Sequence, residues 1–329
     1  LPASLNKDQL FGCCKKFDIE VLCYNEKLLA ALDVNVNKVN IASLFEGKPC
    51  TKKVFKADIL DNDPACLLLT GGTTGMPKGV VLSHTAIMRG MINGCYGLDK
   101  VYKQKYYCMI PLTHSFGFIR NMLTALYTGS CIYYNIDKMS IFKELATYKP
   151  TVLIVVPAIA ELFLSLVQSR GINVLGGQVH TIICGAANVP QHLSLEFNKL
   201  NIGFHPGYGL TEMANMVTGN VEPTLFPQSV GLLFPEQEAK VVEGELWLKG
   251  RNLMNGYYKD PVNNQECFRD GWFTTGDLVK FDEYGNLYIV GRIKDLIVLD
   301  NGEKVSPAYL ESKVLKINLV KDALVYDKK

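Results

Sequence analysis

Leu69-Thr70-Gly71-Gly72-Thr73-Thr74-Gly75-Met76-Pro77-Lys78-Gly79-Val80 lies between two apolar runs, Ala65 to Leu69 and Val80-Val81-Leu82, and reads as a glycine-rich turn joining two strands. Four glycines, three threonines and a lysine fall within residues 70 to 79. Glycines allow successive backbone N–H groups to turn toward one point, hydroxyls add donors, and the lysine adds a positive charge, a combination suited to a polyanion. A nucleoside triphosphate is the obvious ligand. The commoner phosphate loop has glycine directly before its lysine and serine or threonine directly after. Pro77 and Gly79 hold those places, so that reading fails.

Outward from this turn, residues 64 to 206 alternate short apolar runs with helical patterns. Strands are expected at Tyr106–Ile110, Ser130–Tyr134, Thr151–Val155, His180–Cys184 and Ile202–His205, with helices at Phe116–Tyr127, Ser140–Tyr148, Ala158–Gln168 and Gln191–Leu200. Such alternation predicts an α/β fold, a mainly parallel sheet covered on both faces. Ligands then sit beyond the carboxyl ends of the strands. After about residue 217 short strands predict a small antiparallel β-subdomain: 240–242, 245–249, 278–281 and 287–290, the last two joined by a hairpin loop at Asp282–Asn286. A helix over Pro307–Leu315 and a strand near Ala323–Tyr326 follow.

The chain has 329 residues, 48% hydrophobic, with a net charge of +2. That balance offers no basic face for nucleic acid. The most apolar stretch, Thr151 to Val167, is broken by Pro157 and Glu161 and falls short of a bilayer span of about 20 residues. Ten scattered cysteines without paired C-x-x-C spacing read as reduced thiols, favouring a cytoplasmic location.

Five further segments lie at strand ends or turns. Pro111-Leu112-Thr113-His114-Ser115-Phe116-Gly117 follows one strand and Gly185-Ala186-Ala187 another. In Gly207-Tyr208-Gly209-Leu210-Thr211-Glu212, the glutamate is a suitable Mg²⁺ ligand, the tyrosine can stack on a purine and the threonine can bond a phosphate. In the last group, Thr275-Gly276-Asp277 precedes Gly291-Arg292-Ile293-Lys294-Asp295, and the two acceptor oxygens of Asp277 suit a vicinal diol.

Taken in order, these segments resemble the adenylate-forming superfamily of acyl-CoA synthetases, peptide-synthetase adenylation domains and luciferases, and most resemble its acyl-CoA and acyl-carrier ligases. The family usually has serine at the place of Gly71. The resemblance implies that Thr70, Gly71, Gly72, Thr73, Thr74, Gly75 and Lys78 hold the phosphates of ATP, and that Thr211 and Glu212 act on phosphate and Mg²⁺. It places Gly185, Ala186 and Tyr208 along adenine, Asp277 and Arg292 on ribose and phosphate, and His114, Phe116, Gly209 and Met213 at the acyl pocket. Lys294 falls at the family's hinge, and Asn301 to Pro307 resembles the part of the C-terminal lobe that closes for thioester formation. Gly244-Glu245-Leu246 resembles a structural motif.

The implied domains are residues 1–293, an N-terminal adenylate-forming domain with its β-subdomain at about 217–293, and 294–329, a hinge with the beginning of a smaller α+β lobe. The implied activity consumes ATP, releases pyrophosphate, forms an acyl-adenylate and passes the acyl group to CoA or a carrier's phosphopantetheine, an acyl-carrier protein being one such partner. Phe116, Phe118, Ala186, Leu210, Met213 and Ala214 suggest an apolar pocket for a small carboxylic acid, fatty first and aryl second. Two alternatives stay open: amino-acid adenylation, and a noncatalytic nucleotide- or acyl-adenylate-binding protein. Family members carry a lysine late in the C-terminal lobe that orients the acyl carboxylate. Lys328 and Lys329 come too soon after Lys294 to match it, so a fragment truncated at both ends, impaired in adenylation, is expected.

Overall fold

In the computed structural model, residues 1–2, 5–25, 34–44, 57–70, 77–135, 137–300, 302–314, 317, 319–320 and 323–327 are described. A seven-stranded sheet organises them. Its order across the sheet is Leu232–Leu233, Thr218–Gly219, Gly203–Tyr208, Thr181–Cys184, Val152–Val155, Lys105–Cys108 and Cys131–Tyr134. The five strands from Gly203–Tyr208 to Cys131–Tyr134 run parallel, and the two short ones at the other edge are antiparallel.

Neighbouring side chains on these strands go to opposite faces. Tyr107, Leu153, Val155, Ile182, Cys184 and Phe204 pack under Phe163, Val167, Leu193 and Phe197 of helices Pro157–Arg170 and Gln191–Lys199. Tyr106, Val152, Ile154 and Ile183 face the other way, against Cys95, Phe116 and Ala125. Both faces are thus buried, which is why these strands read as continuous apolar runs rather than alternating ones.

The expected helix at 116–127 is present in altered form. Phe116–Leu123 is wound as a π-helix, and only Thr124–Tyr127 is α-helical. Gly117 lies hard against the carbonyl oxygens of Ile110 and Pro111, where a Cβ would clash. π turns of this kind are rare and often mark functional sites.

The glycine-rich turn lies in a hairpin. Pro64–Thr70 and Lys78–Ser83 pair antiparallel with Thr70 opposite Lys78, and Gly256–Tyr257 adds a third strand by pairing with Val80 and Val81. Residues Gly71 to Met76 lie outside the described residues. Ser83 caps helix His84–Asn93 by accepting from the Ala86 amide.

A five-stranded antiparallel sheet follows: Gln237–Val242, Glu245–Gly250, Trp272–Phe281 and Phe268–Arg269, with Leu287–Arg292 also on Trp272–Phe281. The expected hairpin loop forms, with Asp282 Oδ1 accepting from the Tyr284 and Asn286 amides and Gly285 at φ 82°. This sheet begins at Gln237; the strands between 217 and 236 belong instead to the edge of the large sheet, because Thr218 and Gly219 pair with Tyr208 and Gly207. Helix Pro307–Val314 is present. The strand expected near Ala323–Tyr326 is not: the Val325 amide bonds the Glu311 side chain, leaving no ladder there. Among the described residues no helix is long and apolar enough to cross a membrane.

Candidate active site

A cavity of about 980 Å³ opens at the carboxyl ends of the parallel strands and is bounded on its far side by the antiparallel sheet. Thr70, Lys78, His114, Phe116, Gly185, Ala186, Tyr208, Gly209, Thr211, Glu212, Asp277, Arg292 and Lys294 all line it. Among these, residues as far apart as Thr70 and Lys294 converge on one space. Gly71, Gly72, Thr73, Thr74 and Gly75 lie outside the described residues, but Thr70 and Lys78 on either side of them face the cavity.

Strand register builds the first cluster. Asp277 and Arg292 are direct cross-strand partners, and Arg292 Nε donates to Asp277 Oδ1 at 2.8 Å. Tyr208, at the end of its parallel strand, donates its hydroxyl to Asp277 Oδ2 at 2.5 Å. Asp277 is only 4% exposed, and burial raises its pKa against the opposing pull of Tyr208 and Arg292. The turn carrying it is held by Glu245, whose Oε1 accepts from the Gly276 amide at 2.8 Å, while Thr275 Oγ1 accepts from the Asp277 amide at 3.0 Å. That is a structural task for Glu245, in keeping with the motif around it.

The second cluster joins Glu212, Tyr257 and Lys78. Pairing of Gly256–Tyr257 with Lys78–Ser83 carries Tyr257 to this point, where its hydroxyl donates to Glu212 Oε1 at 2.8 Å and Lys78 Nζ sits 4.8 Å from its ring centroid. Burial raises the pKa of Glu212; the Tyr257 hydrogen bond and the charge of Lys78 oppose it. Among the described residues no group of three metal-ligating side chains exists. A single carboxylate in a cavity with room for phosphates fits Mg²⁺, which usually takes one or two carboxylates and completes its shell with phosphate oxygens and water.

A third set of contacts ties the two long motifs together. Ser115 Oγ lies 3.1 Å from Thr211 Oγ1 and donates to Asn215 Oδ1 at 3.1 Å. His114 Nδ1 accepts from the Phe116 amide at 3.1 Å, and burial lowers the pKa of the ring. Ala186 and Asn215, which line the cavity, hold positive φ values of 69° and 71°. Left-handed non-glycine residues store strain and concentrate at functional sites.

Gly209 approaches the Asn215 carbonyl so closely that an added Cβ would overlap it. Gly209→Ala is therefore expected to destabilise the chain by ~1–3 kcal/mol, the usual cost of overpacking. Thermal denaturation checks this, and an unchanged melting temperature would show that the turn yields.

Three expected pocket residues lie elsewhere. Met213 is fully buried among Val217, Leu246 and Leu248, because a 3₁₀ turn separates successive side chains by roughly 120° and Thr211 and Glu212 already face the cavity. Ala214 and Phe118 pack into the cluster around Val80 and Leu82. Phe116, Ala186 and Leu210 remain as cavity wall. Sequence reading missed Lys16, Ser115, Arg120, Asn215 and Tyr257, all of which line the cavity. Lys16 reaches it from helix Lys7–Lys16 and donates to the Pro77 carbonyl at 3.0 Å. Ser115 lies inside the segment from Pro111 to Gly117 without a mark of its own, whereas Lys16 and Tyr257 arrive through long-range contacts that no local pattern marks.

The fold and this cavity define an α/β protein whose candidate site straddles two sheets. A family model described as AMP-binding enzyme matches residues 13–258, and the chain belongs to that family. The chain is 30% identical over 311 residues to 4-coumarate–CoA ligase-like 2 of Arabidopsis thaliana, covering 87% of this chain and 53% of that protein. It is 32% identical over 302 residues to acyl-CoA synthetase 7 of Caenorhabditis elegans, covering 83% and 55%. The chain thus spans about half the length of the curated relatives it matches. In fold it is similar to O-succinylbenzoate coenzyme A synthetase from Bacillus subtilis in complex with ATP and magnesium ion, with a TM-score of 0.81 at 21% identity over 98% of this chain and 70% of that one.

Proposed function

We propose that this chain forms the nucleotide- and acid-binding part of an AMP-forming acid–thiol ligase. A carboxylate oxygen attacks the α-phosphorus of ATP, pyrophosphate leaves, and a thiol of CoA or phosphopantetheine then attacks the acyl carbon and releases AMP. The observation that carries this reading is the convergence of Lys78, Glu212 and the Asp277–Arg292 pair on one cavity.

The residues divide the work by chemistry. Thr70 and Lys78, at the mouth of the glycine-rich hairpin, meet the phosphates, and Thr211 adds a hydroxyl. Glu212 would hold Mg²⁺, which would neutralise charge on the phosphate oxygens. Asp277 accepts from the ribose hydroxyls, Arg292 approaches ribose and phosphate, and Gly185, Ala186 and Tyr208 flank adenine. His114, Phe116 and Gly209 border the acid. Donors already aimed at developing phosphate charge supply most of the rate acceleration expected of such a site. Lys294, in the 3₁₀ turn that follows strand Leu287–Arg292, is assigned the hinge, dividing 1–293 from 294–329. Free thiols at all nine described cysteines suit a reducing compartment such as the cytosol.

Exchange of labelled pyrophosphate into ATP, measured over fatty, aryl and amino acids, tests the reading. Stimulation by fatty or aryl acids is the expected result. Stimulation by amino acids alone would move the chain to amino-acid adenylation.

A further inference from the structure

Arg120 is the largest fully buried side chain described, 1% exposed, and it lines the same cavity as Lys78 and Glu212. It sits four residues after Phe116 on the π-helix, so the two project to the same side. Its Nε and Nη1 have no hydrogen-bond partner among the described residues, and no described carboxylate forms an ion pair with it.

Tyr106, Cys95 and His205 are the polar groups beside it. Tyr106 gives its hydroxyl proton to the Val101 carbonyl at 3.1 Å, and the Cys95 thiol donates to the Ile92 carbonyl at 2.9 Å. Burial lowers the pKa of the neighbouring His205, which bonds the Asn220 carbonyl through Nδ1. A guanidinium does not shed its proton in a protein. Burying one without a counter-charge is costly, and the cost is removed when an anion arrives with the right geometry. The planar fork of Arg120 matches a carboxylate with two parallel N–H···O bonds.

Phe116, Ile183 and Leu210 supply apolar wall within the same cavity, suited to a short methylene chain or ring. An acid ending in a methyl group would leave the charge of Arg120 unpaired. We propose that the acid taken by this site carries a second carboxylate, remote from the reacting one, and that Arg120 binds it. This rests on the carboxylate-activating function proposed above and narrows its substrate from fatty or aryl acids in general to dicarboxylic ones.

Calorimetric titration of the chain in saturating AMP with succinate, adipate and suberate, each against butyrate, hexanoate or octanoate of matched length, tests the inference. At least one diacid should bind about tenfold or more tightly than its monoacid, as expected for hydrogen bonds between charged groups. Arg120→Met should reverse that preference while leaving ATP and AMP affinity unchanged, and Arg120→Lys, which keeps the charge but not the fork, should fall between. Monoacids binding as well as diacids to the unaltered protein would overturn the proposal and leave Arg120 to buried water. So would a preference that survives Arg120→Met. If that variant does not fold, the wild-type comparison and Arg120→Lys still decide. Failure of the wild-type chain to bind ATP would overturn the function proposed above, and this inference with it.

Discussion

Asp277→Ala is expected to weaken ATP and AMP binding by about ten- to a hundredfold, from the ~1.5–3 kcal/mol of hydrogen bonds made to a charged acceptor. The carboxylate is buried, with Oδ1 engaged by Arg292 Nε and Oδ2 by the Tyr208 hydroxyl. A carboxylate offers about four acceptor positions, so these two donors leave capacity for a vicinal diol. Alanine removes the acceptor and also frees Tyr208 and Arg292, the groups flanking it. The strand is held by backbone pairing to Glu245–Gly250 and Leu287–Arg292, so its fold should persist. Calorimetry with AMP beside a thermal melt separates the two effects. An unchanged AMP affinity would remove Asp277 from the site.

Glu212→Gln should have the second large effect, abolishing the magnesium dependence of ATP binding with a loss of about tenfold or more. The amide oxygen can still accept from Tyr257, which keeps the local structure while removing the charge. The pH dependence follows from the raised pKa. Below it Glu212 is protonated and a poor cation ligand, so magnesium-dependent binding should strengthen as pH rises through a value above the ordinary 4.5. Stability without metal runs the other way. The folded state holds this proton more tightly than the unfolded state, so its contribution is fullest below the ordinary glutamate range and declines as pH climbs through the raised value. The magnesium slope should vanish in the glutamine variant, and the stability slope should lose the part due to Glu212, leaving that of Asp277. A magnesium titration of Glu212→Gln that matches wild type would contradict the assignment.

The parallel sheet was readable because its strands are buried on both faces: Val152 to Val155 are all core, and such runs announce themselves without periodicity. Thr218–Gly219 and Leu232–Leu233 were not readable, since two residues carry no pattern and their place is set by pairing with strands already formed. The π form of Phe116–Leu123 was hidden for a similar reason: its sequence is amphipathic like an α-helix, and the close approach of Gly117 to Ile110 and Pro111 is a tertiary fact.

The candidate site divides in the same way. Tyr208, Glu212, Asp277 and Arg292 stand in short motifs whose order identified them. Tyr257 reaches Lys78 and Glu212 only through the register of a two-residue strand. Met213 was misplaced because neighbours in a tight turn face different ways. Arg120 looks like any helix arginine until its burial and missing partners are seen.

Acid and adenylate are expected to occupy one continuous cavity in this chain. Calorimetry with adenosine sulfamate acylated by octanoate or by adipate, which joins both halves of an acyl-adenylate in a molecule that cannot react, tests it most directly. Continuity predicts that one of these conjugates binds at least a hundredfold more tightly than AMP, on the order of 3 kcal/mol, and competes with ATP for a single site. An affinity no better than that of AMP, or binding that ATP does not displace, would contradict it.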